Sequence, residues 1–422
     1  MHVIVHDYAG HPFQVQLSRE LAGRGYRVTH QYCASYTTGR GAVVRTSGDP
    51  DGFSVEPLSM SGEFARYSPA RRLAQELRYG LAAGQRLRHS GADLVVMSNV
   101  PLLAHTVMAA MLRFAGMPMV LWQQDVRSDA IGTAARHRLG RYCGGATAWI
   151  ADRLERFISR SSAHVIAISE SFKDVLHRWG LSAEAVTVIP NWAALTEMPV
   201  RPRDNEWARS HNLVGREVVL YAGTLGIKHN PQLLIEIAEA LQRHEPEAAV
   251  VVVSEGRGRA FLETERRRLG LENLVLLDYQ PYAALPDILA SADVLVAVLE
   301  PDASRYSVPS KVLTYLCAAR PILGVMPAEN QAAATLRSSG AGISVDPANS
   351  QQAIAALMSL LADPETRTRM GAAGRQYAEA TFNVSEIGSR FELVLHETKG
   401  PDQDRSSLAV TSIGRERNKG AR

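Results

Sequence analysis

Short runs of almost uninterrupted apolar residues alternate with helix-like stretches along this chain, and the series stops once and then starts again. Strands of a parallel sheet read this way, because crossover helices bury both faces of the sheet. In the first half the runs are HVIVHDY from His2, RVTHQYC from Arg27, DLVVMS from Asp93, MPMVLWQQD from Met117, HVIAIS from His164 and VTVIP from Val186. A helix is expected after the first run, with Phe13, Leu17 and Leu21 four apart on one face and Gly25 as its stop. Residues 40–63, rich in Gly, Ser, Asp and Pro, read as an excursion from the sheet. TEMPVRPRDNE, within the boundary region 194–210, has no periodicity and reads as an interdomain linker. The runs resume with EVVLYAG, AAVVVVS, NLVLLD, ADVLVAVL and RPILGVM, and a helix from Pro231 is expected with Asn230 as its cap. Helical patterns close the fold at about 350–362, 365–381 and 385–398, and the polar stretch 399–422 is expected to be disordered. Two Rossmann-like α/β domains in series, 1–195 and 205–384, imply a ligand cleft between the carboxyl ends of their sheets.

Composition narrows the partners. At 422 residues the chain exceeds one core, and 46% apolar with 21% charged residues is globular. A net charge of +3 is too small for a polyanionic partner of the whole molecule, and no nucleic-acid-binding pattern is present. Within 60–160, however, 14 arginines face 7 acidic residues. Arg71, Arg72 and Arg78 accompany Leu73, Leu77, Leu81 and Leu87, while Arg136, Arg138, Arg141, Arg153, Arg156 and Arg160 surround Tyr142, Trp149 and Phe157. This pattern suits docking on an anionic bilayer or holding a lipid diphosphate, and equally an ordinary solvated helix face. Cys33, Cys143 and Cys317 lie far apart, which argues against a disulfide framework or structural zinc and suits a reducing cytosol. No basic start precedes HVIVHDY, so no signal peptide is expected. Leu94 to Leu112 is uncharged, but Ser98, Asn99, Pro101 and His105 make it a strand, a turn and a helix from Pro101 rather than a membrane span.

The order of several segments resembles one family. YAGHPFQVQLSRELAGRGYRVTHQYC, VIPNW, YAGTLGIKHNPQLLIEIA, SEGRGRAFLE, YQPYAALPDILASADVLVAVL, VPSKVLTYLCAARPIL and DPETRTRMGAAGRQYAEATFN resemble retaining glycosyltransferases of the GT-B fold, family 4 type. More narrowly they resemble bacterial fucosyl- or N-acetylfucosaminyl-transferases of O-antigen, capsule or colanic-acid-like polysaccharide synthesis. The resemblance implies a nucleoside-diphosphate sugar donor (UDP favoured), a lipid-linked glycan acceptor, no metal cofactor, and a cytoplasmic enzyme peripheral on the inner membrane face. It also implies that the final helix, 385–398, crosses back to the first domain. Competing readings on the same architecture are a non-hydrolysing sugar-nucleotide epimerase and a non-catalytic nucleotide-binding protein.

Candidate site residues follow from both sources. Gly10 lies between a strand and a helix, where it allows close approach of a phosphate or only a tight turn. The family's next glycine is here His11, either a donor ligand or a helix cap. Gly223, Thr224 and the loop to Lys228 form the equivalent turn of the second domain. Lys228 matches a family lysine that neutralises the leaving diphosphate, and Thr224 replaces the usual arginine. Two family glutamates map to Tyr306 and Thr314, neither acidic; Pro309, Ser310 and Lys311 instead open a helix that could hold phosphate. Glu255 and Gly256 form a turn that borders the nucleotide in relatives, and Tyr282 a loop near its base. Asp125 ends a strand, where it could orient a sugar hydroxyl, cap a helix or pair with an arginine.

Overall fold

The computed structural model describes residues 1–36, 43–60, 68–226, 229–300 and 310–399. Two all-parallel sheets organise it. The first contains β1 (His2–Asp7), β2 (Arg27–Cys33), β3 (Phe53–Leu58), β4 (Leu94–Ser98), β5 (Met119–Gln123), β6 (His164–Ala167) and β7 (Val186–Val188), ordered 3-2-1-4-5-6-7. The second contains β8 (Val218–Ala222), β9 (Ala249–Val253), β10 (Leu274–Leu277), β11 (Val294–Val298), β12 (Ile322–Val325) and β13 (Gly342–Val345), ordered 10-9-8-11-12-13. In each sheet the order reverses once, between β1 and β4 and between β8 and β11. Helices leave opposite faces on either side of such a point, so a crevice opens beyond the strand ends there. The architecture is GT-B.

Each apolar run became a strand because both its faces are covered: β4, β5, β8, β9 and β11 are buried at every residue. Helix α1 (Pro12–Gly23) buries Phe13, Leu17 and Leu21 as expected. Asn230 accepts from Leu233 N–H and caps the helix Pro231–His244.

The structure departs from expectation in four places. Part of the expected excursion 40–63 is β3, paired in register with β2 from Val28↔Phe53 to Cys33↔Leu58. It is an edge strand, which tolerates Pro57, and only Phe53 and Leu58 are buried. The expected linker is fastened to the second domain. Arg203 pairs with Asp293 at 2.7 Å, and buried Asn205 caps Ala208 and donates to Asp287 O at 2.9 Å. Leu87, grouped with the basic surface, is core, whereas Leu73, Leu77 and Leu81 on α2 (Pro69–Arg88) stay 55%, 42% and 48% exposed. Lys399, assigned to the tail, ends the last helix and pairs with Asp93 at 3.2 Å; residues 400–422 lie outside the described residues.

That last helix, Val384–Lys399, packs on α1 of the first domain. Gly388 permits the approach: a Cβ there would fall 2.8 Å from Glu20 Cγ. Arg24 donates to Glu392 at 2.9 Å and Tyr26 Oη donates to Glu392 at 2.7 Å. Phe391 is fully buried with its ring 4.7 Å from that of Trp122, which stacks on Trp192 at 5.7 Å.

Candidate active site

β8 delivers the chain to the cleft, and Tyr315 fixes where the strand ends. The Tyr315 hydroxyl accepts from Ala222 N–H at 2.9 Å and donates to Ala222 O at 3.0 Å. Gly223 follows with φ of +132°, a conformation that side chains resist. A Cβ on it would sit 3.5 Å from Lys311 Cε, so the lysine lies directly along this turn. Lys311 occupies the first turn of the helix Ser310–Cys317, whose N-terminal dipole adds to its attraction for an anion. Its Nζ is 4.0 Å from the centroid of the Tyr221 ring and donates to the Tyr221 hydroxyl. Tyr221 in turn donates to Thr224 O at 2.8 Å. Partial burial against Tyr221 and Gly223 pulls the Lys311 ammonium down to about 7, since it takes from the charge some of the water that would stabilise it.

Thr224 to Gly226, the described residues that follow, are held as well. Thr224 Oγ1 bonds the Tyr279 hydroxyl, Leu225 N–H donates to Ser254 Oγ at 3.2 Å, and Gly226 N–H donates to His229 Nδ1 at 3.0 Å. A backbone held in this way at Thr224 to Gly226 loses little free energy in reorganising around developing charge.

Between the domains lies a cleft of about 430 Å³, the size of a small-molecule site. The second domain contributes Gly223, Thr224, Tyr282, Ser310, Lys311 and Thr314; the first contributes His11, Pro12, Phe13 and Trp192. A wider cavity of about 1020 Å³ opens on the first domain, lined by Asp125, Arg72, Arg127 and Asn99 together with Leu102, Ile131 and Ile150. His11 and Thr224 line both spaces and mark their junction.

Most of the candidates named from sequence therefore converge. Gly223, Thr224, Tyr282, Ser310, Lys311 and Thr314 share one cleft, and Gly10 turns the chain beside it at φ +75°. Tyr282 is tied through its hydroxyl to Glu197, so its ring is positioned rather than loose. Glu255 and Gly256 are not among the cleft's lining residues; their turn supports the loop from behind, where Gly258 lies against Leu225. Asp125 faces the wider cavity, and the N-cap position of the helix that follows is Val126. Glu155 caps the start of that helix, α4 (Arg127–Ser161), accepting from Arg127 N–H at 2.8 Å and Ser128 N–H at 2.9 Å. His11 occupies the N-cap position of α1 without a side-chain cap bond. Arg71 and Arg78 are exposed on α2, whereas Arg72 pairs with buried Glu76 at 2.9 Å. Lys228, Tyr306 and Pro309 lie outside the described residues. Tyr221, Tyr279 and Tyr315 were not anticipated; a tyrosine closing the apolar run VVLYA was the available signal for the first.

Residues 11–192 match the family described as Glycosyl transferase 4-like domain, and residues 203–377 the family described as Glycosyl transferases group 1. Over 291 residues the chain is 27% identical to the Escherichia coli protein named "Putative colanic acid biosynthesis glycosyl transferase WcaI", covering 67% of this chain and 69% of that one. Over 253 residues it is 24% identical to alpha-D-kanosaminyltransferase of Streptomyces kanamyceticus, covering 59% and 64%. Anabaena HepE, solved in complex with UDP and glucose, shares the fold with a TM-score of 0.65 at 18% identity, covering 93% of this chain and 98% of its own.

Proposed function

From the premise that this chain is a glycosyltransferase of the GT-B fold, with a 4-like domain followed by a group 1 domain, we propose that it transfers a sugar from a nucleoside-diphosphate donor to a lipid-linked glycan acceptor with retention of anomeric configuration. The observation that carries this reading is the Lys311 ammonium laid along the Gly223 turn at the cleft. Transfer needs positive charge where the diphosphate departs, and a fixed ammonium beside a helix N-terminus supplies it without a metal. Asp125, in the adjoining cavity, orients a hydroxyl of the donor sugar or the acceptor. Bacterial surface polysaccharide synthesis is the setting, in line with the colanic-acid name of one relative. Incubation with radiolabelled UDP-, GDP- and dTDP-sugars plus bacterial membranes tests the reading. Label in the lipid phase is the expected result, whereas an isomerised donor would identify an epimerase and no turnover a binding protein.

The first domain meets the membrane in this proposal. No helix among the described residues is long and apolar enough to cross a bilayer. Exposed Leu73, Leu77 and Leu81 on α2, and Trp149 and Ile150 on α4, accompany Arg71, Arg78 and Arg153, whose guanidinium covers the Trp149 ring at 5.0 Å. Apolar side chains among arginines suit an interface with anionic headgroups. Replacing Arg71 and Arg78 with glutamate should weaken sedimentation with phosphatidylglycerol vesicles roughly thirtyfold or more, at about 1 kcal/mol per arginine lost. High salt should abolish binding of the wild type. Arg72 is left in place because Glu76, buried beside it, would lose its counter-ion. A wild type that stays in the supernatant at low salt would remove the membrane from the proposal.

A further inference from the structure

His11 stands at the mouth of two spaces and has a carboxylate behind it. Its side chain is 31% exposed, and it lines both the cleft that holds Lys311 and the wider first-domain cavity. Asp7, the last residue of β1, is completely buried. Its oxygens accept from Ala9 N–H at 3.1 Å, from the His11 N–H, and from Asn99 Nδ2 at 3.3 Å. Gln14 lies 3.1 Å from both oxygens when its amide nitrogen faces them. Burial alone would push the Asp7 carboxyl up, but the charge and hydrogen bonds of His11 outweigh it and hold Asp7 below its ordinary range. Asp7 is therefore a carboxylate, which can only accept.

That fixes the imidazole. His11 Nδ1 lies 3.3 Å from Asp7 Oδ1 and must carry a hydrogen to bond it. The amide hydrogens of Asn99, 3.2 Å from the same nitrogen, go to Asp7 and to Ser98 Oγ. Among the described residues nothing hydrogen-bonds Nε2. Lys311 is the only lysine or arginine among the described residues that line the cleft, and His229 uses Nδ1 to hold the Gly226 N–H. Lys228, the loop lysine to which the family resemblance points, lies outside the described residues, and it reaches the loop from the second domain as Lys311 does. A departing nucleoside diphosphate spreads negative charge over two phosphates, and a cation on the first domain meets it from the other side of the cleft.

We propose that His11, backed by Asp7, is the first domain's cation on the donor's diphosphate, reaching it from that side of the cleft while Lys311 reaches it from the second domain. The proposal rests on the reading of the cleft as a nucleoside-diphosphate site. Set between the Asp7 carboxylate and a bound diphosphate, the ring holds protons on both nitrogens and donates from Nε2 to a terminal phosphate oxygen. When the bond from the anomeric carbon to the phosphate oxygen breaks, its electron pair goes to the diphosphate. The acceptor oxygen bonds the anomeric carbon, and its proton passes to a diphosphate oxygen. His11 transfers no proton; it stabilises the charge as the group leaves.

The test compares diphosphate with monophosphate. Isothermal titration of UDP and UMP, GDP and GMP, and dTDP and dTMP is run on the wild type, His11→Gln and His11→Arg. Glutamine can still donate to Asp7, so the fold is kept; a melting curve checks this. For the nucleotide the wild type prefers, His11→Gln should weaken the diphosphate about tenfold and leave the monophosphate within about twofold, the loss expected of one charge-assisted hydrogen bond. His11→Arg should recover most of that loss. An unchanged diphosphate-to-monophosphate ratio in His11→Gln, or equal losses of both ligands, would overturn the proposal while leaving the nucleotide site standing. Wild type that binds none of the three diphosphates would bring down the reading of the cleft, and this proposal with it.

Discussion

Lys311→Ala is expected to lower turnover roughly a hundredfold, on the order of 3 kcal/mol of transition-state stabilisation, with a smaller effect on donor KM. The reason is timing: negative charge on the diphosphate peaks as the glycosidic bond breaks, and a cation fixed there acts most strongly at that moment. The ammonium cannot swing elsewhere, being laid along Gly223 and bonded to Tyr221. Loss of fold does not explain such a result, because removing a desolvated ammonium relieves a cost, so Tm should hold or rise. The same burial sets a pH dependence. With its ammonium at about 7 in the free protein, Lys311 is largely neutral at pH 8, and a bound diphosphate must restore its proton. Diphosphate affinity should therefore fall as pH rises from 7 to 9, by up to about tenfold per unit from Lys311 alone, and Lys311→Ala should lose that share and keep only the slope that His11 contributes. Unchanged turnover and an unchanged pH slope in the alanine variant would remove Lys311 from the site.

The second large effect concerns the final helix. Phe391→Ala should cost about 3–5 kcal/mol and lower Tm on the order of 10 °C, because it removes a fully buried ring packed on Trp122 where the last helix meets the first domain. Ending the chain at residue 384 goes further, stripping Ile387, Phe391, Val394 and Leu395 from the first domain. Tryptophan emission should shift to the red in that variant as Trp122 and Trp192 meet water. Ending it at residue 399 should change neither Tm nor turnover. A 1–384 chain with wild-type Tm and activity would mean that the helix is dispensable.

The strands that could be read from sequence were those buried on both faces, where burial demands an unbroken apolar run. β3 escaped notice because an edge strand needs few apolar residues and can carry Pro57; β13, Gly342–Val345, is too short and polar to stand out. In the site, Lys311 was visible as a cation opening a helix beside a cleft. Its partners were not. Tyr221 brings its hydroxyl to Lys311 from a strand some ninety residues earlier, and Tyr315 reaches back over a like distance to Ala222, relations that no local pattern encodes. Asp7 was more accessible: an acidic residue closing the run HVIVHD has no place in a buried strand unless something at the strand's end pairs with it.

The return of the last helix to the first domain also has a consequence during synthesis. Trp122, Trp192 and Phe13 leave the ribosome early, yet the residue that closes over them is Phe391. At 5–20 residues per second, the stretch from 193 to 399 takes roughly 10–40 s to follow. Throughout that interval the first domain is a nearly complete sheet with an open aromatic face. The nascent chain is then a substrate for chaperones that shield such faces, and a ribosome stalled in the second half leaves a fragment that is sticky rather than merely inactive.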